Sequence, residues 1–134
     1  DEIVVAVARL VDDAQVERRD PGHSDIGFQI QRAGLKEVDP IEHGQKVGKA
    51  KHVRAVLGWA LEHDPQSGEL LVAHLLAVIS SCGGFRESSS NYVGAEAILN
   101  ARDAFKKQGY SLSMDGQLLP SVLENLSIKD LEEG

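Results

Sequence analysis

Aromatic residues make up only 4% of this 134-residue sequence, so a buried core has to be built mainly from Leu, Val, Ile and Ala. The single cysteine, Cys82, cannot form an internal disulfide and favours a reducing, cytoplasmic location. No apolar run approaches the length of about 18 residues that is typical of a membrane-spanning helix. Basic residues are also few, because 14 Lys and Arg stand against 21 Asp and Glu and leave a net charge of −7. That balance disfavours a protein that coats nucleic acid with its whole surface.

Apolar residues recur at spacings of three and four along most of the sequence, which is typical of amphipathic helices. Three of the predicted helices cover 2–16, 46–63 and 93–108. A short helix capped by Ser24 or Asp25 runs to Ala33, and another, capped by Ser67, ends at Gly83-Gly84. The latter is apolar nearly all round, so we expect it to be central and packed on several sides.

A β-hairpin is predicted after these helices, over about 110–120. Tyr110, Leu112 and Met114 alternate with polar residues, and Asp115-Gly116 suits a two-residue type I′ turn. The predicted fold class is therefore mainly α, a compact domain of about five helices with one short β-hairpin.

The predicted domain covers 1–126, with the hairpin at its end. Ser127 resembles the cap of a further helix, so 127–134 is interpreted as its beginning, leading to an absent C-terminal domain. The sequence also begins at Asp1, and Met114 is its one methionine. We therefore expect this chain to be a piece of a longer protein.

The residues that most often carry catalysis do not form a recognisable motif. The histidines have no pair at the spacing of a helical zinc site, so we expect neither a metal nor a cofactor. His74 lies in the most apolar helix, where a neutral core imidazole is favoured over a general base. Cys82 follows the C-terminus of that helix, which disfavours a reactive thiolate. We predict no catalytic residue and no enzyme activity.

Positive charge is concentrated in one stretch, 46–54, with the sequence KVGKAKHVR. Its four cations give +4, so the other 125 residues carry −11. Cations at a helix start oppose the helix dipole, which suggests a role other than helix stability. The stretch could contact phosphates, dock on an acidic partner or be a solvated helix face. The candidate nucleic-acid or partner-binding residues are Lys46, Lys49, Lys51 and Arg54.

A helical body followed by a hairpin is also typical of a winged helix-turn-helix, with 109–120 as the wing. The helix over 93–108 would then be the recognition helix, but its polar face mixes acidic and basic residues. This alternative is a winged-helix-like nucleic-acid-binding module that uses the basic start of the helix at 46–54.

The segments GGFRESSSNYVGAEAILNARDAFKKQGYSL and DGQLLPSVLENL, within 83–126, carry a family resemblance. They resemble the region before the C-terminal domain in bacterial abortive-infection (phage-defence) family proteins, over about a third of the chain. The resemblance implies an N-terminal helical part followed by a HEPN-type nuclease domain, whose signature is Arg, four to six residues, then His. Arg18 to His23 fits that spacing but spans Pro21-Gly22, which a helix interior excludes.

The predicted function is therefore a non-catalytic sensing, scaffolding or oligomerisation module of a defence protein. Its expected partners are another protein, a second copy or its own C-terminal effector domain. Nucleic acid is an alternative partner through the one basic patch, and no membrane is expected.

Overall fold

The structure, a computed structural model, describes residues 1–13 and 18–120. It contains five α-helices: α1 (Glu2–Val11), α2 (His23–Arg32), α3 (Lys49–His63), α4 (Pro65–Ser81) and α5 (Ala95–Lys107). Two short 3-10 helices, Lys36–Val38 and Pro40–His43, join α2 to α3, and the strands β1 (Tyr110–Leu112) and β2 (Leu118–Pro120) follow α5. The predicted mainly helical fold with one hairpin is confirmed.

The most enclosed helix is α1, which contacts α3, α4 and α5. Seven of its ten residues are buried, and Val7 is fully inaccessible. The apolar helix before Gly83-Gly84 was expected to be central and packed on several sides. That helix, α4, packs on α1, α2 and α3, but Leu70, Ala73 and Ala77 lie on a side that remains exposed. The expected packing of α4 on several sides is therefore confirmed, and one strip of its apolar surface stays exposed.

Several helix ends differ from the predicted ones. Helix α1 ends at Val11 because Asp12 is extended, so the predicted extension to 16 fails at Asp12 and Asp13, and the rest of it lies outside the described residues. Helix α2 is capped by Gly22, and the Asp25 carboxylate accepts a hydrogen bond from the Gly22 N–H. Asp25 is thus an internal partner of the cap, as in a capping box.

The third, fourth and fifth helices begin at other residues than predicted. Helix α3 begins at Lys49, after an extended Gly48, and helix α5 begins at Ala95. The cap of α4 is Asp64, whose carboxylate accepts hydrogen bonds from the Ser67 N–H and hydroxyl. Ser67 therefore lies inside the first turn, and Pro65 occupies the first helical position, which has no N–H requirement.

The hairpin forms where it was predicted, but its turn is of another type. Gly116 has φ +90°, whereas no described residue other than glycine has a positive φ, so Asp115 cannot belong to a type I′ turn. The Gly116 N–H donates to the Ser113 carbonyl and the Ser113 N–H to the Gln117 carbonyl, which closes a three-residue loop. A Cβ at Gly116 would lie 2.5 Å from the Phe85 ring, so the close approach also requires glycine.

No helix in the described part of the chain has both the length and the apolar character needed to cross a bilayer. The helix predicted to begin after Ser127 lies outside the described residues.

Candidate functional site

The structure divides the basic stretch into exposed and buried cations. Lys46, Lys51 and Arg54 are exposed at the N-terminal end of α3, and none of them pairs with a carboxylate of the described residues. We call these three side chains the basic face. Lys49, the fourth candidate, is only 7% exposed. The predicted binding set therefore contains three cations that a partner could reach and one that is enclosed by the fold.

Lys49 is held by internal acceptors. Its Nζ donates to the backbone carbonyls of Arg19 at 2.6 Å and Pro21 at 3.1 Å, and it lies 2.5 Å from an Asp13 carboxylate oxygen. This hydrogen bond and a second one from the Arg19 N–H hold the pKa of Asp13 below its ordinary value. Lys49 thus fixes the segment before α2 onto α3, which accounts for its position at a helix start where the dipole disfavours a cation.

One turn further along α3, His52 is almost completely buried, with 1% exposure. Its Nε2 lies 2.8 Å from Oδ1 of Asp39, which is itself 3% exposed. The same Asp39 oxygen accepts from the Ile41 N–H at 2.9 Å and so caps the second 3-10 helix. On the other side of the ring, His52 Nδ1 lies 3.0 Å from Nδ1 of His23, the first residue of α2. We call His23, His52 and Asp39 the histidine cluster.

The distance between the two Nδ1 atoms shows whether a hydrogen bond or a metal ion would join the two rings. Two imidazole nitrogens on one tetrahedral zinc ion, at about 2.0–2.1 Å each, would be about 3.3–3.4 Å apart. The observed 3.0 Å is instead the ordinary length of a hydrogen bond with a nitrogen donor. No group of three or more His, Cys, Asp or Glu side chains within 1–13 and 18–120 is arranged to hold a metal ion. The contact is therefore best described as a hydrogen bond between two imidazoles.

The other candidate side chains lie apart from this cluster. His74 is half-buried on α4 and not in the core, and burial together with the charge of Arg32 lowers its pKa. Cys82 caps the end of α4, where burial and then the charges of Asp20 and Asp25 raise the pKa of its thiol. A thiol with a raised pKa is a poor nucleophile.

The hairpin and the basic face lie at opposite ends of α3. Tyr110 and Leu118 line one groove of about 390 Å³ together with Leu61 and Pro65, near the C-terminal end of α3. The basic face begins at the other end, and the 12 residue-to-residue steps along the helix from Lys49 to Leu61 span about 18 Å. A wing at the hairpin would therefore not extend the same contact surface as the basic face.

The sequence does not predict the histidine cluster, because its three members come from three different elements. His23 and His52 are 29 positions apart, and Asp39 lies between them in a segment for which neither a helix nor a strand was predicted. The spacing within α3 does indicate that Lys49 and His52 are buried, because they share one helix face with the buried residues Val56 and Ala60.

No protein-family model, no curated protein and no solved structure matches this chain. The geometry of its own side chains is therefore the main basis for a functional assignment.

Proposed function

We propose that this chain is a non-catalytic interaction module that docks an acidic protein surface on its basic face. The observation that carries the proposal is that Lys46, Lys51 and Arg54 are exposed and pair with no carboxylate within 1–13 and 18–120. Lys49, in the same stretch, shows what a structural cation in this fold looks like, because it is buried and bonded to carbonyl oxygens. The basic face makes no comparable contact with the part of the chain that the structure describes, and a role in binding accounts for its concentrated charge.

Charge arithmetic favours an acidic protein over nucleic acid as the partner. The chain carries −7 in total, so without the three cations of the basic face the remainder carries −10. Three phosphate contacts would be opposed by long-range repulsion between that remainder and the many phosphates of a nucleic acid, whereas a short acidic segment meets much less of this repulsion. A protein partner needs only a local acidic patch, and ion pairs at such a contact contribute mainly to orientation and association rate.

The resemblance of 83–126 to abortive-infection proteins supports a place for this module within a defence protein. In that arrangement the module senses a partner, self-associates or holds its own effector domain in check. We therefore expect that the chain does not cleave RNA or DNA. Robust cleavage by the purified chain, abolished by a single point substitution, would overturn this part of the proposal.

The binding proposal is tested with fluorescently labelled decaglutamate as the acidic probe and a 20-base-pair DNA duplex as the competing class. Two double variants change the net charge equally, from −7 to −11: Lys51→Glu with Arg54→Glu, and Lys36→Glu with Lys106→Glu. Lys36 and Lys106 are exposed and lie outside the basic face, so the second pair is the matched control.

We expect the unmodified chain and the control to bind decaglutamate, with affinity that falls as salt rises, because the contacts are screened. The basic-face variant should lose most of this binding, measured by fluorescence anisotropy. An equal loss of decaglutamate binding in both variants would show that binding depends only on net charge. It would refute the proposal that the basic face is the binding surface. Tighter binding to the duplex than to decaglutamate, lost in the basic-face variant, would assign the face to nucleic acid instead.

A further inference from the structure

The histidine cluster can hold one proton between its two rings but not two. A carboxylate only accepts hydrogen bonds, so the His52 Nε2 must carry the proton that it donates to Asp39. In the neutral pair His52 Nδ1 is then an acceptor, and the His23 Nδ1–H donates to it across 3.0 Å. If both rings become imidazolium ions, both Nδ1 atoms carry protons, and two donors cannot hydrogen-bond to each other.

The contacts of the histidine cluster join three elements of the fold. His23 is the first residue of α2, His52 is in the first turns of α3, and Asp39 begins the second 3-10 helix. A positive charge on His23 also lies at a helix N-terminus, where the dipole disfavours a cation. Protonation of both rings therefore opposes the packed arrangement in two ways, through donor–donor contact and through the dipole.

We propose that His23 and His52 form a proton-sensitive latch, which holds the start of α2 against α3 and opens when both imidazoles are protonated. Its closed state is the arrangement in the structure, with one proton shared by the two Nδ1 atoms and Asp39 as the anchor. Opening requires no movement of the apolar core, because His23 is exposed while Ile26 and Ile30 hold the rest of α2. The latch does not depend on the proposed binding function.

Neighbouring charges set the direction of the pH effect. Burial, followed by the positive charges of His52 and Lys49, lowers the pKa of His23, while Asp13 and Asp39 act in the opposite direction. An unfolded histidine takes up its proton as the pH falls through about 6.5. The unfolded chain then binds more protons than the folded one, so stability is present above that pH and decreases as the pH falls through it.

The test compares urea unfolding at pH 7.5 and pH 5.5 in the unmodified chain, His23→Gln and His43→Gln. Glutamine cannot titrate, and His43 is an exposed histidine outside the cluster, so His43→Gln is the matched control. His74 has a lowered pKa too, but it is common to all three chains and cancels in the comparison. One proton can change the unfolding constant by at most about tenfold per pH unit.

We expect the unfolding constant of the unmodified chain and of His43→Gln to rise several-fold more on acidification than that of His23→Gln. Equal pH dependence in all three chains would overturn the latch. A second measurement needs no substitution: amide hydrogen exchange in the first turn of α2 should accelerate at pH 5.5 relative to α5, after correction for intrinsic rates. Unchanged relative protection of that turn would equally contradict the proposal.

Discussion

Replacing Lys49 with methionine removes the buried ammonium while keeping an unbranched side chain of similar length. The backbone carbonyls of Arg19 and Pro21 then lose the hydrogen bonds that they accept from Nζ at 2.6 and 3.1 Å. A hydrogen bond to a charged group contributes about 1.5–3 kcal/mol, and buried acceptors left without a partner cost a similar amount. The Asp13 side chain is 39% exposed, so solvent screens its ion pair, which adds at most about 1 kcal/mol.

Together these contributions predict that Lys49→Met lowers the free energy of unfolding by about 3–5 kcal/mol. That is a large share of the 5–15 kcal/mol typical of a small domain. Urea denaturation followed by circular dichroism measures it, with Lys51→Met as the control, because Lys51 is exposed and should change stability by less than about 0.5 kcal/mol. If Lys49→Met were no more destabilising than Lys51→Met, the structural role assigned to Lys49 would be wrong.

Two further predictions concern the core and the hairpin, both measured as changes in the free energy of unfolding. Leu57→Ala should lower the free energy of unfolding by about 2–5 kcal/mol, because Leu57 is fully buried. Leu70→Ala should lower it by less than about 1 kcal/mol, because Leu70 is 45% exposed. Similar losses in the two variants would contradict the packing of α3 and α4. Gly116→Ala should lower the free energy of unfolding by about 2–3 kcal/mol, because Gly116 has a positive φ and its added Cβ would meet the Phe85 ring. Gly27→Ala should raise it by up to about 1 kcal/mol, because Gly27 lies within α2 with open space around its Cβ position. A neutral Gly116→Ala variant would refute the turn geometry.

The helical class and the hairpin could be predicted because they depend on local patterns. Spacings of three and four define the apolar faces, and Asp115-Gly116 marks the reversal of the chain. The turn type could not be read from that dipeptide, because the same residues also fit a three-residue loop with glycine in the left-handed region. Which loop forms depends on how Phe85 packs against Gly116, a contact between residues 31 positions apart.

The sequence predicts the cation cluster of the candidate site but does not predict which of its cations are buried. A cluster of cations is visible in the sequence, but burial depends on what packs over each side chain. Lys49 is enclosed because the carbonyls of Arg19 and Pro21 lie over α3, and no local pattern places them there. The pairing of His23 with His52 likewise depends on the packing of α2 against α3, so it appears only in three dimensions.

The most direct test of the basic face is to map which backbone amides respond to the acidic probe. In a two-dimensional NMR titration with decaglutamate, we expect the largest chemical-shift changes within 46–54 and little change at α5 and the hairpin. The Lys51→Glu, Arg54→Glu double variant should lose those shifts while keeping the rest of its spectrum. Shifts centred elsewhere, or retained in the variant, would contradict the proposal that this chain docks its partner through Lys46, Lys51 and Arg54.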